Sequence, residues 1–136
     1  MTSLEPFDTP MEDSDLILDI EVLGKLETIM PRDRLVTLAS SYLNGVIARG
    51  SRISAFVVAG DLVALSREAH DLKSTSGSFG ARRLQTLGEK LETACREGNL
   101  AAASELACAI AAVLPDTIEA VLRRYPEVQL NAAPKS

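Results

Sequence analysis

Apolar residues recur three and four positions apart along most of the chain, and this spacing constrains the fold more than any other feature. Between Leu62 and Phe79, apolar side chains follow one another at steps of three, four, three and seven. Such spacing lines one face of an α-helix, whereas a half-buried strand alternates apolar and polar residues. No segment alternates in that way between turn signals. The sequence therefore predicts an all-α protein.

Stop signals divide the pattern into four long amphipathic segments. Glycine readily adopts the left-handed conformation that ends a helix, and Asp or Asn caps the next one. In the last segment, Pro115 is expected to kink or interrupt the helix, because proline lacks a backbone donor and clashes with the preceding turn. The stop signals are Gly60-Asp61, Gly80 and Gly98-Asn99.

A shorter segment, residues 19–30, precedes the long ones. Asp19 is its predicted N-cap, and Pro31 ends it or begins the next helix. Its predicted inward face consists of Ile20, Leu23, Leu26 and Ile29 or Met30.

These segments predict one domain, an antiparallel up-down four-helix bundle with an additional N-terminal covering helix. A chain of 136 residues is one domain by size. Aromatic residues make up only 4% of it, so leucine, alanine and valine must form the core, which favours helix packed on helix. Residues 1–14 are predicted to be a disordered acidic lead, 15–125 the bundle, and 126–136 a flexible tail.

Charge and composition exclude several classes of function. The net charge is -5, yet residues 1–30 carry -7 and residues 31–136 carry +2. Without a basic stripe or a reading motif, nucleic acid is not an expected partner. The sequence has no apolar run of about 18 residues and no signal peptide, so we expect a cytoplasmic protein that does not enter the membrane. Cys95 and Cys108 have no metal-binding or redox spacing.

The segment from Leu62 to Ala81 also carries an unusual polar face. It holds His70, the only histidine of the chain. Residues three or four positions before or after a helical residue lie beside it on the helix surface. Glycine and serine are poor interior helix residues, costing up to about 1 kcal/mol each relative to alanine. We expect these small residues to leave a surface without large side chains, on which another molecule can bind. The polar face comprises Arg67, His70, Lys73, Ser74, Gly77 and Ser78.

Residues 70–81, HDLKSTSGSFGA, resemble the signature of histidine-containing phosphotransfer (HPt) domains. In that signature a histidine is followed by x-Leu-Lys, a run of small residues, an apolar position and Gly-Ala. Ser74 stands where the family most often has glycine, and Ser78 where asparagine is common, but both keep the surface small. The resemblance covers about residues 15 to 125, and Leu84, Leu87, Leu91 and Glu92 continue it.

The resemblance implies a phosphoryl carrier that works between other proteins. His70 would take the phosphoryl group on Nε2, and Lys73 would neutralise its oxygens, with Arg67 able to add to that effect. Ser74, Gly77 and Ser78 would let a partner backbone approach. The implied partners are response-regulator receiver domains, which bring Mg²⁺ and the phospho-accepting Asp, and a hybrid sensor histidine kinase. The chain itself would need no cofactor or metal.

Two other interpretations stay open at the level of sequence. A non-catalytic helical adaptor could dock on a receiver or kinase and regulate it by occupancy, and the bundle could be a fragment of a larger hybrid kinase. The chain has no phosphate-binding loop for ATP, so we expect no kinase activity of its own. Nothing in the apolar stripes demands a partner helix, and a monomer is expected.

Overall fold

The computed structural model describes residues 16–131, which form five α-helices and no strand. The all-α prediction is confirmed for these residues, while the predicted lead, residues 1–14, lies outside them. No helix within 16–131 is long and apolar enough to cross a membrane. The helices are α1 (Ile20–Ile29), α2 (Arg32–Ala59), α3 (Leu62–Phe79), α4 (Arg82–Arg96) and α5 (Leu100–Arg124).

The helix ends follow the stop signals of the sequence. Gly60 and Gly80 end α2 and α3 with φ angles of 68° and 92°, in the left-handed region that side chains with a Cβ rarely adopt. Asp19 caps α1 by accepting hydrogen bonds from the amides of Glu21 and Val22. The predicted caps of α3 and α5 are also present: Asp61 accepts from the amide of Ala64, and Asn99 accepts from the amide of Ala102.

Each of the four long helices packs against two of the other long helices. α3 lies between α2 and α4, and α5 packs on both α4 and α2, while α1 contacts α2 and α3. The connections within this ring are two or three residues long, which keeps consecutive helices beside each other. Small and aliphatic side chains dominate the core, and its fully buried members include Leu23, Leu35, Leu43, Leu65, Leu72, Leu84, Leu91 and Val121.

The predicted inward face of α1 is only partly correct. Leu23 is fully buried, and Leu26 and Met30 pack against the core. Ile20 is 65% exposed, and Ile29, the alternative to Met30, is 74% exposed. The reason is geometric: this ten-residue helix lies against one edge of the bundle, so only the narrow stripe of Leu23, Leu26 and Met30 reaches the core.

Pro115 does not interrupt α5, which is continuous from Leu100 to Arg124. Proline leaves the carbonyl four residues earlier without its amide partner. That carbonyl belongs to Ala111, which is exposed along with Pro115, so water can bind it. On the opposite side of the helix, Val113 and Thr117 are buried and continue the core.

The chain packs on the bundle beyond the boundary expected at residue 125. Tyr125 and Val128 are buried, and the amide of Asn131 donates to Oδ1 of Asn44 on α2 over 2.7 Å. Glu27 of α1 accepts hydrogen bonds from Arg124 and from the Tyr125 hydroxyl. The end of α5 is thereby fixed to α1 and α2.

Candidate functional site

The polar face of α3 forms an exposed ridge on the bundle. His70, Arg67, Ser74 and Ser78 are exposed on it, while Lys73 and Gly77 are half-buried at its flank. The imidazole of His70 is 57% exposed. The helical period places the six predicted residues together, because the apolar positions of α3 point the opposite way into the core.

α3 and α4 approach each other closely behind His70, at Gly88. A Cβ atom on Gly88 would lie 2.9 Å from the amide nitrogen of Lys73 and 3.1 Å from the carbonyl oxygen of Ala69. Only glycine lets the two backbones meet at this distance. Sequence reasoning did not single out Gly88, although a glycine inside a helix, one turn from buried leucines, is a signal of close packing.

Glu92 lies one turn beyond Gly88 and reaches across to α3. Its Oε2 lies 3.1 Å from Nδ1 of His70, and its Oε1 accepts a hydrogen bond of 3.0 Å from Nζ of Lys73. Arg96 adds a longer ion pair, with Nη1 3.6 Å from Oε2. The carboxylate side chain is only 14% exposed. Sequence analysis named Glu92 only as a residue that continues the family resemblance, and did not predict its contacts with His70 and Lys73.

The cations around Glu92 keep it ionised. The hydrogen bond from Lys73 lowers the pKa of Glu92 below its usual value, and the bond to His70 acts in the same direction, against the opposing effect of burial. A carboxylate can only accept hydrogen bonds, so Nδ1 of a neutral imidazole must carry the proton here. The lone pair of that ring then lies on Nε2.

The surface beside the imidazole is a shallow depression of about 400 Å³. Ser66, Arg67, His70, Asp71 and Glu92 line it. Asp71 does not bond to His70; its Oδ2 lies 3.5 Å from Nη1 of Arg49 on α2.

The other flank of the ridge borders an apolar groove of about 490 Å³ between α1, α2 and α3. Tyr42 and Phe79 stack in it with ring centroids 4.6 Å apart, and Ser74 and Ser78 form part of its edge. The Tyr42 hydroxyl is hydrogen-bonded to Ser76 over 2.7 Å, and burial raises the pKa of Tyr42. The two hydroxyls satisfy each other, so neither is left unpaired in the core.

The chain also matches a known protein family. The family model described as Hpt domain matches residues 21–124, and the chain belongs to that family. It is therefore a histidine phosphotransfer protein of the phosphorelay type, a class that works with receiver domains and kinases.

Among solved structures, the chain is similar to the crystal structure of histidine-containing phosphotransfer protein B (HptB) from Pseudomonas aeruginosa PAO1. The two share 25% sequence identity with a TM-score of 0.78, over 85% of this chain and 99% of the other. No curated protein sequence matches the chain.

Proposed function

We propose that Nε2 of His70 accepts a phosphoryl group from the aspartate of one receiver domain and passes it to another. The observation that carries this proposal is the hydrogen bond between Nδ1 of His70 and Glu92. It leaves the exposed ring with its lone pair on the nitrogen distal to the backbone. A neutral imidazole can attack through this lone pair without a separate base.

In the forward step, the Nε2 lone pair attacks the phosphorus of the aspartyl phosphate. The new P–N bond forms as the P–O bond breaks, and the aspartate leaves as a carboxylate with the electron pair. The ring keeps its Nδ1 proton and becomes a cation, which the carboxylate of Glu92 stabilises through the same hydrogen bond. The reverse step restores the neutral ring, so the carrier can serve in both directions.

Lys73 supplies positive charge to the transferred group. Its ammonium is 3.0 Å from Glu92 and lies one turn from His70, on a flexible side chain that can turn to the phosphoryl oxygens. Arg67, one turn before His70, faces the same depression. Phosphoryl transfer depends mainly on positioning and on stabilising charge. Lys73 and Arg67 stabilise the negative charge of the phosphoryl group.

The docking face of the proposal consists of Ser74, Gly77 and Ser78 together with Arg67. The exposed small side chains of Ser74 and Ser78 let a receiver bring its aspartate within bonding distance of Nε2. The receiver supplies Mg²⁺, and a hybrid sensor histidine kinase supplies the phosphoryl group upstream. In this proposal, α2–α5 form an antiparallel four-helix bundle that α1 covers. The protein acts in the cytoplasm as a monomer and has no ATP-dependent kinase activity of its own.

Transfer from a phosphorylated receiver domain with Mg²⁺, to the wild type and to His70→Gln, tests the proposal. Label should appear on the wild type as an acid-labile, base-stable adduct and be absent from the variant. Glutamine is neutral and polar, so the fold should persist, as circular dichroism can verify. Receivers that bind both proteins equally while no label moves would favour the adaptor interpretation instead.

A further inference from the structure

Gln85 of α4 covers the part of the ridge that the sequence predicted to be bare. A Cβ atom on Gly77 would lie 2.9 Å from Nε2 and 3.1 Å from Cδ of Gln85. The carboxamide therefore rests directly on the Gly77 backbone, and a larger residue at 77 would displace it. At this point the surface that a partner meets is an amide group.

The orientation of this amide is fixed from the other side. Nη1 of Arg82 donates to Oε1 of Gln85 over 2.7 Å, and Nη2 of the same guanidinium bonds the carboxylate of Asp19. The Asp19 amide in turn donates to the carbonyl of Gly80 over 2.7 Å. Since Oε1 is held by Arg82, the Nε2 group is the end that lies over Gly77.

The Nε2 group has two N–H donors, and no side chain or carbonyl within residues 16–131 accepts a hydrogen bond from them. Gln85 is half-buried, so part of this amide faces the surface. A donor already held in one orientation loses little conformational entropy when it binds, which makes it more effective than a free side chain.

Gln85 also lies on the face that a partner of His70 must cover. Gln85 and Glu92 are seven residues apart, two turns or about 10 Å along α4, with Gly88 between them. Glu92 faces His70, and Gln85 faces Gly77. An interface of about 600 Å² per partner corresponds to a circle of radius about 14 Å, so a receiver centred on His70 reaches Gln85.

We propose that Nε2 of Gln85 donates a hydrogen bond to an acceptor oxygen of the receiver domain docked on His70, so that Gln85 is a docking residue rather than a solvated one. This inference rests on the proposed phosphotransfer function. It assigns Gln85 to partner binding and not to the transfer step, because two helical turns separate it from the reacting atoms.

The test is the rate of transfer from a phosphorylated receiver domain as a function of receiver concentration. Gln85→Met keeps the length and the contact with Gly77 but removes both N–H donors. Gln85→Glu removes the donors while keeping an acceptor for Arg82. The matched control is Gln129→Met, which changes the other glutamine of the chain, exposed near its C-terminal end. Phosphorylation of each protein by phosphoramidate serves as a receiver-independent measure of His70 reactivity.

Loss of one interfacial hydrogen bond should raise the half-saturating receiver concentration about fivefold in both Gln85 variants. The maximal transfer rate, the phosphoramidate reaction and the Gln129→Met protein should match the wild type. An unchanged half-saturating concentration would overturn the inference. So would an equal loss in the phosphoramidate reaction, which would place the effect in His70 or in the fold. Failure of the proposed function is distinct, since the wild type itself would then take no label from any receiver.

Discussion

Nδ1 of His70 and Oε2 of Glu92 lie 3.1 Å apart across the contact between α3 and α4. The two residues are 22 positions apart in the chain. The same carboxylate binds Lys73, so one acidic side chain holds both the proposed nucleophile and the proposed cation. Glu92 therefore positions the imidazole and sets which nitrogen carries the proton.

Glu92→Gln should weaken this control. A neutral amide is a poorer acceptor than a carboxylate, so the Nδ1–H form of the ring should be less populated, and transfer should slow by about tenfold. Because the chain has a single histidine, ¹⁵N-histidine labelling gives one imidazole whose tautomer can be read directly by NMR. Glu89→Gln, an exposed position on the same helix, is the control. Unchanged tautomer and rate in Glu92→Gln would contradict the positioning role.

Gly88→Ala should separate α3 from α4. The new Cβ would meet backbone atoms at 2.9–3.2 Å, and backbone cannot move aside as a flexible side chain can. We expect a loss of about 1–3 kcal/mol in the free energy of unfolding, together with slower transfer, because Glu92 moves away from His70. Urea denaturation and the transfer assay measure the two effects.

Gly45→Ala is the matched control for that substitution. Gly45 is also inside a helix, but its Cβ would meet nothing within 4 Å. The change should stabilise the protein by up to about 1 kcal/mol through helix propensity alone. If both substitutions changed the free energy of unfolding by the same amount, the close contact between α3 and α4 at Gly88 would not be the cause of the change.

Glu27→Gln should reduce stability at neutral pH but not in acid. Hydrogen bonds from Arg124 and then Tyr125 lower the pKa of Glu27. A carboxyl group with a lowered folded-state pKa stabilises the fold above its unfolded pKa of about 4.3, and this contribution is lost as pH falls through the folded-state value. The variant should therefore be about 1 kcal/mol less stable at pH 7, and the difference should shrink below about pH 4.

Urea denaturation of the wild type and Glu27→Gln at both pH values measures this dependence. Glu119→Gln removes an exposed ion pair with Arg123 and should change stability little at either pH. A Glu27→Gln deficit that persisted undiminished in acid would mean that packing, and not the charge, accounts for the loss.

The sequence by itself determined the helices, their ends and the ridge that carries His70. These features depend on residues within one or two turns of each other: apolar spacing sets the faces, and Asp19, Gly60 and Gly80 set the ends. The polar face of α3 followed from the same spacing. Local physics was sufficient for all of this because each interaction lies within a single helix or turn.

Only the tertiary structure decided which side chains of α4 meet that ridge. α4 carries several acidic and polar residues, and helical spacing alone does not say which of them faces His70. That choice depends on the rotation and distance of two packed helices, which the backbone contact at Gly88 fixes. Glu92 then reaches His70, and Gln85 covers Gly77. The exposure of Ile20 likewise depended on where a short helix lies against the others, a long-range property that no local pattern contains.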